Sequence, residues 1–211
     1  MSDATVLLAS GSPQRKAVLE ELDIAYEAVS MDVDEVTLDT PEATVRANAE
    51  LKAAAALAKA APGQVVIAAD TVVFAEGRIL GKPHDAVTAK QYLRLLSGRA
   101  VSACTGVSVV RQGIGGWTGV EVAVARIRPF SENGIDWYVA TSEPLTRAGA
   151  LGISHYGEMF VSGIEGSYSC FAGLPKRTLL AALIRSGFSL PFGAAAESLL
   201  HDIRLSEFKH S

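Results

Sequence analysis

Two serines and an arginine follow the first apolar run of the chain. Residues 7–15 read LLASGSPQR, so Ser10, Ser12 and Arg15 come after a predicted strand and open a predicted helix. At such a junction backbone N–H groups and the helix dipole attract anions, and hydroxyl and guanidinium groups add further donors. A serine N-cap beside a surface arginine fits the same pattern about equally well. The stretch is not a Walker loop, because the chain has no GxxxxGK[ST] motif.

A carboxylate ends the most strand-like stretch of the chain. QVVIAADTVVF (64–74) brings Asp70 and Thr71 to the end of the apolar run VVIAA. Asp70 is either a cap for the following turn, the commoner role of Asp at a strand end, or a working acid or metal ligand. Lys82 in GKP follows after one predicted hairpin. It is either solvated or returns to the edge of the sheet that carries Asp70.

An acidic segment and a helical lysine complete the set of candidates. Taken singly, Glu35 in MDVDE fits a solvated acidic turn, and Lys52 in AELKAA fits the surface of a helix. Taken together, acidic groups suited to Mg²⁺ accompany several cations and a serine-rich anion-binding loop. These are the groups required to hydrolyse a phosphoanhydride.

Alternating strands and helices must position these residues. Strands are predicted at 5–10, 26–30 and 64–74, and hairpins are predicted around the loops AEGR and GIGG. Helices are predicted where a proline or capping residue precedes apolar residues at helical spacing: from Pro13, from Pro41 to about Ala61, at 85–98 between Asp85 and Gly98, from Ser131, and at 174–187.

This order of elements predicts an α/β fold, in which helices flank a mixed, twisted sheet around a central cleft. Residues 1–187 form one domain of two lobes in this prediction, and residues 188–211 form a tail with room for one short helix.

The composition excludes several classes of protein. The chain has 211 residues, of which 49% are hydrophobic and 20% charged, with a formal net charge of −4. A chain of this kind is neither disordered nor suited to binding duplex nucleic acid. Cys104 and Cys170 lack the spacing of a zinc site or a disulfide framework. With no visible secretory signal and no membrane-spanning stretch, we expect a cytoplasmic protein without membrane contact.

Several motifs together resemble one known family. In order, they are LASGSPQRKAVLEEL, DVDE, AADTVV, GKP, YLRLLSGR with TGV, and SEPLTRAGALGI with IEGSYSCFAGLP. They resemble the Maf family of nucleoside triphosphate pyrophosphatases, once named for septum formation. The resemblance runs from about Val6 to Gly187. It implies a fold related to the house-cleaning inosine triphosphate pyrophosphatases and cleavage of a nucleoside triphosphate to the monophosphate and pyrophosphate.

The resemblance also implies roles for individual residues. Asp70 would be the general base, and Glu35 would help Asp70 to bind a divalent metal, Mg²⁺ or Mn²⁺. The phosphates would be held by five residues, which are Ser10, Ser12, Arg15, Lys52 and Lys82. The implied partner is the nucleoside triphosphate, and a homodimer is left open as the assembly.

Three positions bear on the choice of substrate. AGALGI and Thr71 resemble the branch that acts on dTTP and UTP, because the branch for 7-methyl-GTP has AGGF and a glutamine after the catalytic aspartate. The usual SPRR is SPQR here, so Gln14 replaces an arginine associated with substrate selection. The usual GIQG is GISH, so Ser154 replaces a glutamine that helps to choose the base.

A second hypothesis belongs to a different class of protein. A regulatory protein of cell division could use the same pocket to sense nucleotides with little catalysis. Asp70 argues against a pure binding protein, because a carboxylate in an anion pocket repels the ligand unless a metal is bound.

Overall fold

Strands and helices alternate in the first half of the chain, and hairpins follow. The computed structural model describes residues 5–190 and 199–208. The strands are β1 (Val6–Leu8), β2 (Tyr26–Ala28), β3 (Val65–Ala75), β4 (Arg78–Leu80), β5 (Ala100–Arg111), β6 (Gly115–Ile127), β7 (Val161–Glu165) and β8 (Leu205–Phe208). The helices are α1 (Pro13–Glu21), α2 (Pro41–Leu57), α3 (Ala86–Leu96), α4 (Glu132–Ala140), α5 (Tyr168–Phe171), α6 (Lys176–Arg185) and α7 (Leu199–Asp202).

The chain folds into two units. Among the described residues, the first contains residues 5–70, 105–121, 172–190 and 199–208, and the second contains residues 71–104 and 122–171. In the first unit the strands follow the order β2-β1-β3-β5-β6, with β1 parallel to both of its neighbours. β8 pairs antiparallel with β6. The sheet is therefore mixed and the fold is α/β, which confirms the predicted class.

Successive residues of the central strands are buried on opposite faces of this sheet. On one face, Val6, Leu8 and Ile67 pack in one cluster with apolar residues of α1 and α6. On the other face, Leu7 and Val66 pack in a second cluster with Ala53 and Ala56 of α2 and with Ala68 and Val110. Because side chains alternate along a strand, a strand covered on both faces must be apolar throughout. This explains the uninterrupted apolar runs VLLA and VVIAA.

A glycine permits the close approach of α2 to the sheet. A Cβ atom at Gly106 in β5 would lie 2.4 Å from the carbonyl oxygen of Val45 in α2. No side chain fits at that distance from a backbone atom, so α2 rests directly on the β5 backbone. The helix that carries Lys52 is positioned by this contact.

The second unit contains the β3–β4 hairpin and the helices α3 and α4, together with β7 and α5. β4 pairs antiparallel with β3 across the predicted AEGR turn. A core of buried residues packs α3 and α4 together, and it includes Leu93, Leu96, Ile135 and Tyr138. The side chain of Asp85 caps α3 by accepting a hydrogen bond from the Thr88 N–H, as predicted.

The structure differs from the prediction in three places. The helix predicted to reach Ala61 ends at Leu57. The stretch between α4 and α6, for which we predicted no elements, contains three 3₁₀ segments, α5 and the strand β7, which pairs with β6. The tail contains β8 as well as the one-turn helix α7, while residues 191–198 and 209–211 lie outside the described residues. β7 and β8 escaped prediction because each is a short edge strand stabilised by pairing with distant β6.

Some expectations concern the whole molecule. The domain boundary at residue 187 and the cleft between two lobes stay predictions, as do the cytoplasmic location and the assembly. Among the described residues, no helix combines the length and apolar character required to cross a bilayer.

Gly106→Ala tests the contact between α2 and β5. The added methyl group would overlap the Val45 carbonyl oxygen, so we expect the free energy of unfolding to fall by about 1–3 kcal/mol. Gly163→Ala in β7 is the control, because a Cβ atom there meets no heavy atom within 4 Å. Urea unfolding of both variants measures the difference. Equal stability of the two variants would contradict the close approach.

Candidate active site

One polar face of α2 is buried against the rest of the first unit. Thr44, Asn48 and Lys52 are spaced four residues apart and therefore lie on the same side of the helix. All three are buried, although α2 is otherwise packed through valine and alanine. Buried polar groups must be hydrogen-bonded or paired, so this face must have partners.

Lys52 joins the two predicted metal-binding carboxylates. Its ammonium nitrogen lies 2.7 Å from Oδ1 of Asp70 and 2.7 Å from Oε1 of Glu35. The side chains of Lys52 and Asp70 are 11% and 10% exposed, whereas that of Glu35 is 55% exposed. The structure thus brings together three residues that lie far apart in sequence. Lys52 is not the ordinary surface residue that its helix alone would suggest.

Asn48 is a member of this cluster that the sequence analysis missed. Its amide nitrogen donates to Oδ2 of Asp70 at 3.1 Å and to the Val36 carbonyl at 3.0 Å, and its amide oxygen accepts from the Val36 N–H at 2.8 Å. Asn48 therefore holds the backbone beside Glu35 and orients Asp70 at the same time. The four-residue spacing of Thr44, Asn48 and Lys52 in TVRANAELK is the signal that could have revealed it.

The loop after β1 is organised by Ser10 and Arg15. The buried Ser10 hydroxyl oxygen accepts from the Ser12 N–H and from Nη1 of Arg15, both at 3.2 Å. Arg15 also donates from Nε to the Gly173 carbonyl at 2.9 Å. Burial lowers the pKa of the Arg15 guanidinium, while the charges of Asp70 and Glu35 act in the opposite direction. Arg15 thus interacts electrostatically with both carboxylates of the cluster.

Ser12 and Gln14 form a separate contact at the start of α1. Ser12 occupies the N-cap position of α1, but its side chain makes no capping hydrogen bond. The Ser12 hydroxyl instead donates to Oε1 of Gln14 at 2.8 Å. The alternative in which a serine side chain caps α1 is therefore wrong for Ser12.

Three of the predicted residues belong to the second unit. Thr71 is half-buried in β3, and Lys82 is exposed between β4 and α3. Ser154 is half-buried, and its Oγ lies 3.2 Å from Nδ1 of His155. His155 has a φ of +56° in the left-handed region, at the position where the usual GIQG has glycine. Participation of Thr71, Lys82 and Ser154 in one site with Asp70 stays a prediction.

The sequence analysis also missed two polar contacts that lie close to Ser154 in sequence. Arg147 and Glu143 form an ion pair with an Nη2 to Oε1 distance of 3.4 Å. The hydroxyl of Tyr138 accepts from the Gly152 N–H at 3.0 Å, and burial raises the pKa of Tyr138 to about 12. The Tyr138 hydroxyl thus holds the backbone two residues before Ser154.

The carboxylates of Glu35 and Asp70 are the groups in the first unit that fit a divalent metal. Oxygen ligands suit Mg²⁺ and Mn²⁺, and Mg²⁺ typically binds through one or two carboxylates together with substrate phosphates. Within the described residues, no group of three or more His, Cys, Asp or Glu side chains could hold a metal ion. The two carboxylates fit a metal that shares its coordination with a phosphate ligand.

Comparison with known proteins assigns the family. The sequence profile described as Maf-like protein matches residues 5–186. The chain belongs to this family. The predicted resemblance is therefore confirmed, and it covers the parts of the chain that hold Asp70, Lys52 and Arg15.

Individual relatives agree with this assignment. The protein named dTTP/UTP pyrophosphatase in Anaeromyxobacter sp. (strain Fw109-5) is 41% identical over 193 residues, which cover 90% of this chain and 93% of that protein. A protein of the same name in Chromobacterium violaceum is 36% identical over 198 residues, with 90% and 98% covered. The solved structure of the Staphylococcus aureus Ham1 protein overlaps with a TM-score of 0.42 at 17% identity, over 58% of this chain and 71% of that chain.

Asn48→Ala tests whether the hydrogen bonds of Asn48 stabilise the folded protein. It removes the partners of the Val36 backbone and of Oδ2 of Asp70, so we expect the free energy of unfolding to fall by about 1–3 kcal/mol. Asn133→Ala on the exposed surface of α4 is the control and should change stability by less than about 0.5 kcal/mol. Urea midpoints compare the two variants. An equally small loss for both would show that the Asn48 contacts are unimportant.

Proposed function

We propose that this protein is a metal-dependent pyrophosphatase that converts a nucleoside triphosphate to the monophosphate and pyrophosphate. The substrates we propose are dTTP, UTP and related or modified pyrimidine nucleotides. The observation that carries this proposal is the buried carboxylate of Asp70, which is held by Lys52 and Asn48 beside Glu35. Curated relatives named dTTP/UTP pyrophosphatase, 36% to 41% identical over about nine-tenths of the chain, support it.

In the proposed reaction, Asp70 is the general base. It accepts a proton from a water molecule that attacks the α-phosphorus, and the bond from that phosphorus to the bridging oxygen breaks. Pyrophosphate leaves with the bridging oxygen. A hydrogen bond from Asn48 to Oδ2 of Asp70 restricts the rotation of the carboxylate. Such positioning lowers the barrier because little reorganisation is required when the proton moves.

The metal would be held by Glu35 and Asp70 together with phosphate oxygens. When bound, Mg²⁺ or Mn²⁺ supplies positive charge that neutralises the phosphates and favours departure of pyrophosphate. Glu35 is suited to this role because its side chain remains 55% exposed and so can exchange partners.

The loop at the start of α1 is proposed to bind the phosphates. Ser10, Ser12 and Arg15 present hydroxyl and guanidinium groups there, and Lys52 and Lys82 contribute further positive charge. A Cβ atom at Gly11 would meet the Ser30 hydroxyl oxygen at 3.7 Å, an ordinary contact, so the fold itself does not require glycine at this position. A bound phosphate that approaches the backbone closely would explain why this position is a glycine.

The competing function is a nucleotide sensor of cell division with little catalysis. Both functions require nucleotide binding, and they differ in whether pyrophosphate is produced. The buried carboxylate of Asp70 favours the enzyme, since a sensor gains nothing from a negative charge beside its phosphates. Release of pyrophosphate by the purified protein, screened over natural and modified nucleoside triphosphates, decides between the two functions.

Asp70→Asn tests the general base. The amide keeps the size of the carboxylate but only one hydrogen-bond acceptor, and it cannot accept the proton, so we expect kcat to fall by about 10²–10⁴-fold while nucleotide binding largely remains. Asp23→Asn is the matched control, because Asp23 is exposed and asparagine tolerates its φ of +53°. Pyrophosphate release and calorimetric binding measure the two effects. An Asp70→Asn variant with more than about half of the original kcat would exclude the base role.

Gln14→Arg combined with Ser154→Gln tests the choice of base. Long directional donors reject analogues that leave them unpaired. Gln14 presents one neutral amide, already engaged by Ser12, and Ser154 is too short to reach as far as glutamine. We therefore expect the natural chain to accept CTP and modified pyrimidine triphosphates, and the double variant to narrow towards dTTP and UTP. The measurement is kcat/KM for each triphosphate, and a double variant that broadens would refute this explanation.

A further inference from the structure

The ammonium group of Lys52 lies between the carboxylates of Glu35 and Asp70, the two groups that would hold the metal. Its nitrogen is 2.7 Å from one oxygen of each carboxylate. An ammonium and a divalent cation that use the same two oxygens repel each other strongly, because the side chains of Lys52 and Asp70 are about nine-tenths buried, even though that of Glu35 is 55% exposed. The two cations therefore compete for this position.

The site is electrostatically satisfied without a metal. Lys52 donates to Oδ1 of Asp70 and Asn48 donates to Oδ2, so both oxygens of the buried carboxylate already have partners. Lys52 also compensates Glu35, and the charge of Arg15 interacts with both carboxylates. A metal that enters alone must separate Lys52 from two carboxylates and leave a buried ammonium without acceptors. That separation is costly.

A triphosphate changes this balance. Its oxygens are strong acceptors for an ammonium group, and they also complete the coordination of a metal held by two protein carboxylates. Lys52 can then exchange its carboxylate partners for phosphate oxygens while the metal takes the carboxylates. The triphosphate accepts the displaced ammonium group and so favours metal binding. Because such coupling is reciprocal, the metal favours triphosphate binding to the same extent.

We propose that Lys52 is a displaceable internal cation, which occupies the metal position between Glu35 and Asp70 in the nucleotide-free protein and leaves it when the triphosphate binds. This inference rests on the proposed function, because it requires a metal and a triphosphate in the same site. The proposal predicts that the protein binds metal weakly in the absence of substrate, because Lys52 occupies the site. In this proposal Lys52 contacts the two carboxylates before the triphosphate binds and phosphate oxygens afterwards.

The test is the affinity of the nucleotide-free protein for Mn²⁺, measured by electron paramagnetic resonance. Lys52→Met removes the competing ammonium, so Mn²⁺ should bind at least about 10-fold more tightly, within the usual range of about 5–150-fold for coupled sites. Lys59→Met is the matched control. Lys59 is exposed beyond the end of α2, and its replacement changes the net charge equally without touching the carboxylates.

Thermal unfolding supplies a second readout. Without metal, Lys52→Met should have a lower Tm than the natural chain, because the carboxylates of Asp70 and Glu35 lose their shared counterion. Added Mn²⁺ should raise the Tm of Lys52→Met by more than it raises that of the natural chain or of Lys59→Met. If Lys52→Met does not fold, Lys52→Gln replaces it, since glutamine is neutral and still donates a hydrogen bond.

The outcomes separate this inference from the proposed function. Tighter Mn²⁺ binding in the Lys52 variant, with an unchanged control, supports the inference. Equal or weaker Mn²⁺ binding in the Lys52 variant overturns it, and so does undetectable binding in both proteins. The proposed function is judged separately by pyrophosphate release from the natural chain with Mg²⁺ or Mn²⁺. An active natural chain with unaltered Mn²⁺ affinity in the variant would refute the inference alone.

Discussion

The charge of Asp70 is buried at the end of an apolar stretch of β3, and the organisation of the first unit depends on how that charge is compensated. Lys52 and Asn48 provide the compensation from one face of α2. Removing one partner of a buried ion pair typically costs about 3–5 kcal/mol, a large part of the total stability of a domain. α2 must therefore hold these side chains within hydrogen-bonding distance of the strand.

The packing of α2 serves this requirement. Gly106 allows the helix to lie directly on the backbone of β5, and Ala53 and Ala56 let the same helix pack closely on the sheet. The polar face of α2 makes two sets of contacts. Thr44 and Asn48 bind the backbone of the segment that carries Glu35, while Lys52 joins its carboxylate to that of Asp70. A helix rich in alanine thus combines a tight apolar contact with a charged cluster.

Much of the candidate site could be predicted from local sequence. The apolar run before Asp70 correctly predicted a buried strand, but β3 continues to Ala75, so Asp70 lies within the strand and not at its end before a turn. Ser10 and Arg15 were expected at an anion-binding junction because a predicted strand ends and a predicted helix begins there. Asn48 was not predicted, because its four-residue spacing from Thr44 and Lys52, the one local signal for it, does not show which face of the helix is buried. Its partners, Val36 and Asp70, are distant along the chain.

The sequence by itself determined the class of fold, the order of most elements, the family and the residue types of the proposed chemistry. These depend on periodicity, capping residues and motifs, which are local properties of the chain. Only the tertiary structure decided that Lys52 bridges Glu35 and Asp70, that Arg15 reaches Gly173, and that β7 and β8 pair with β6. Each of these contacts joins residues that are remote in sequence. Their energies depend on distance and burial, which exist only once the chain has folded.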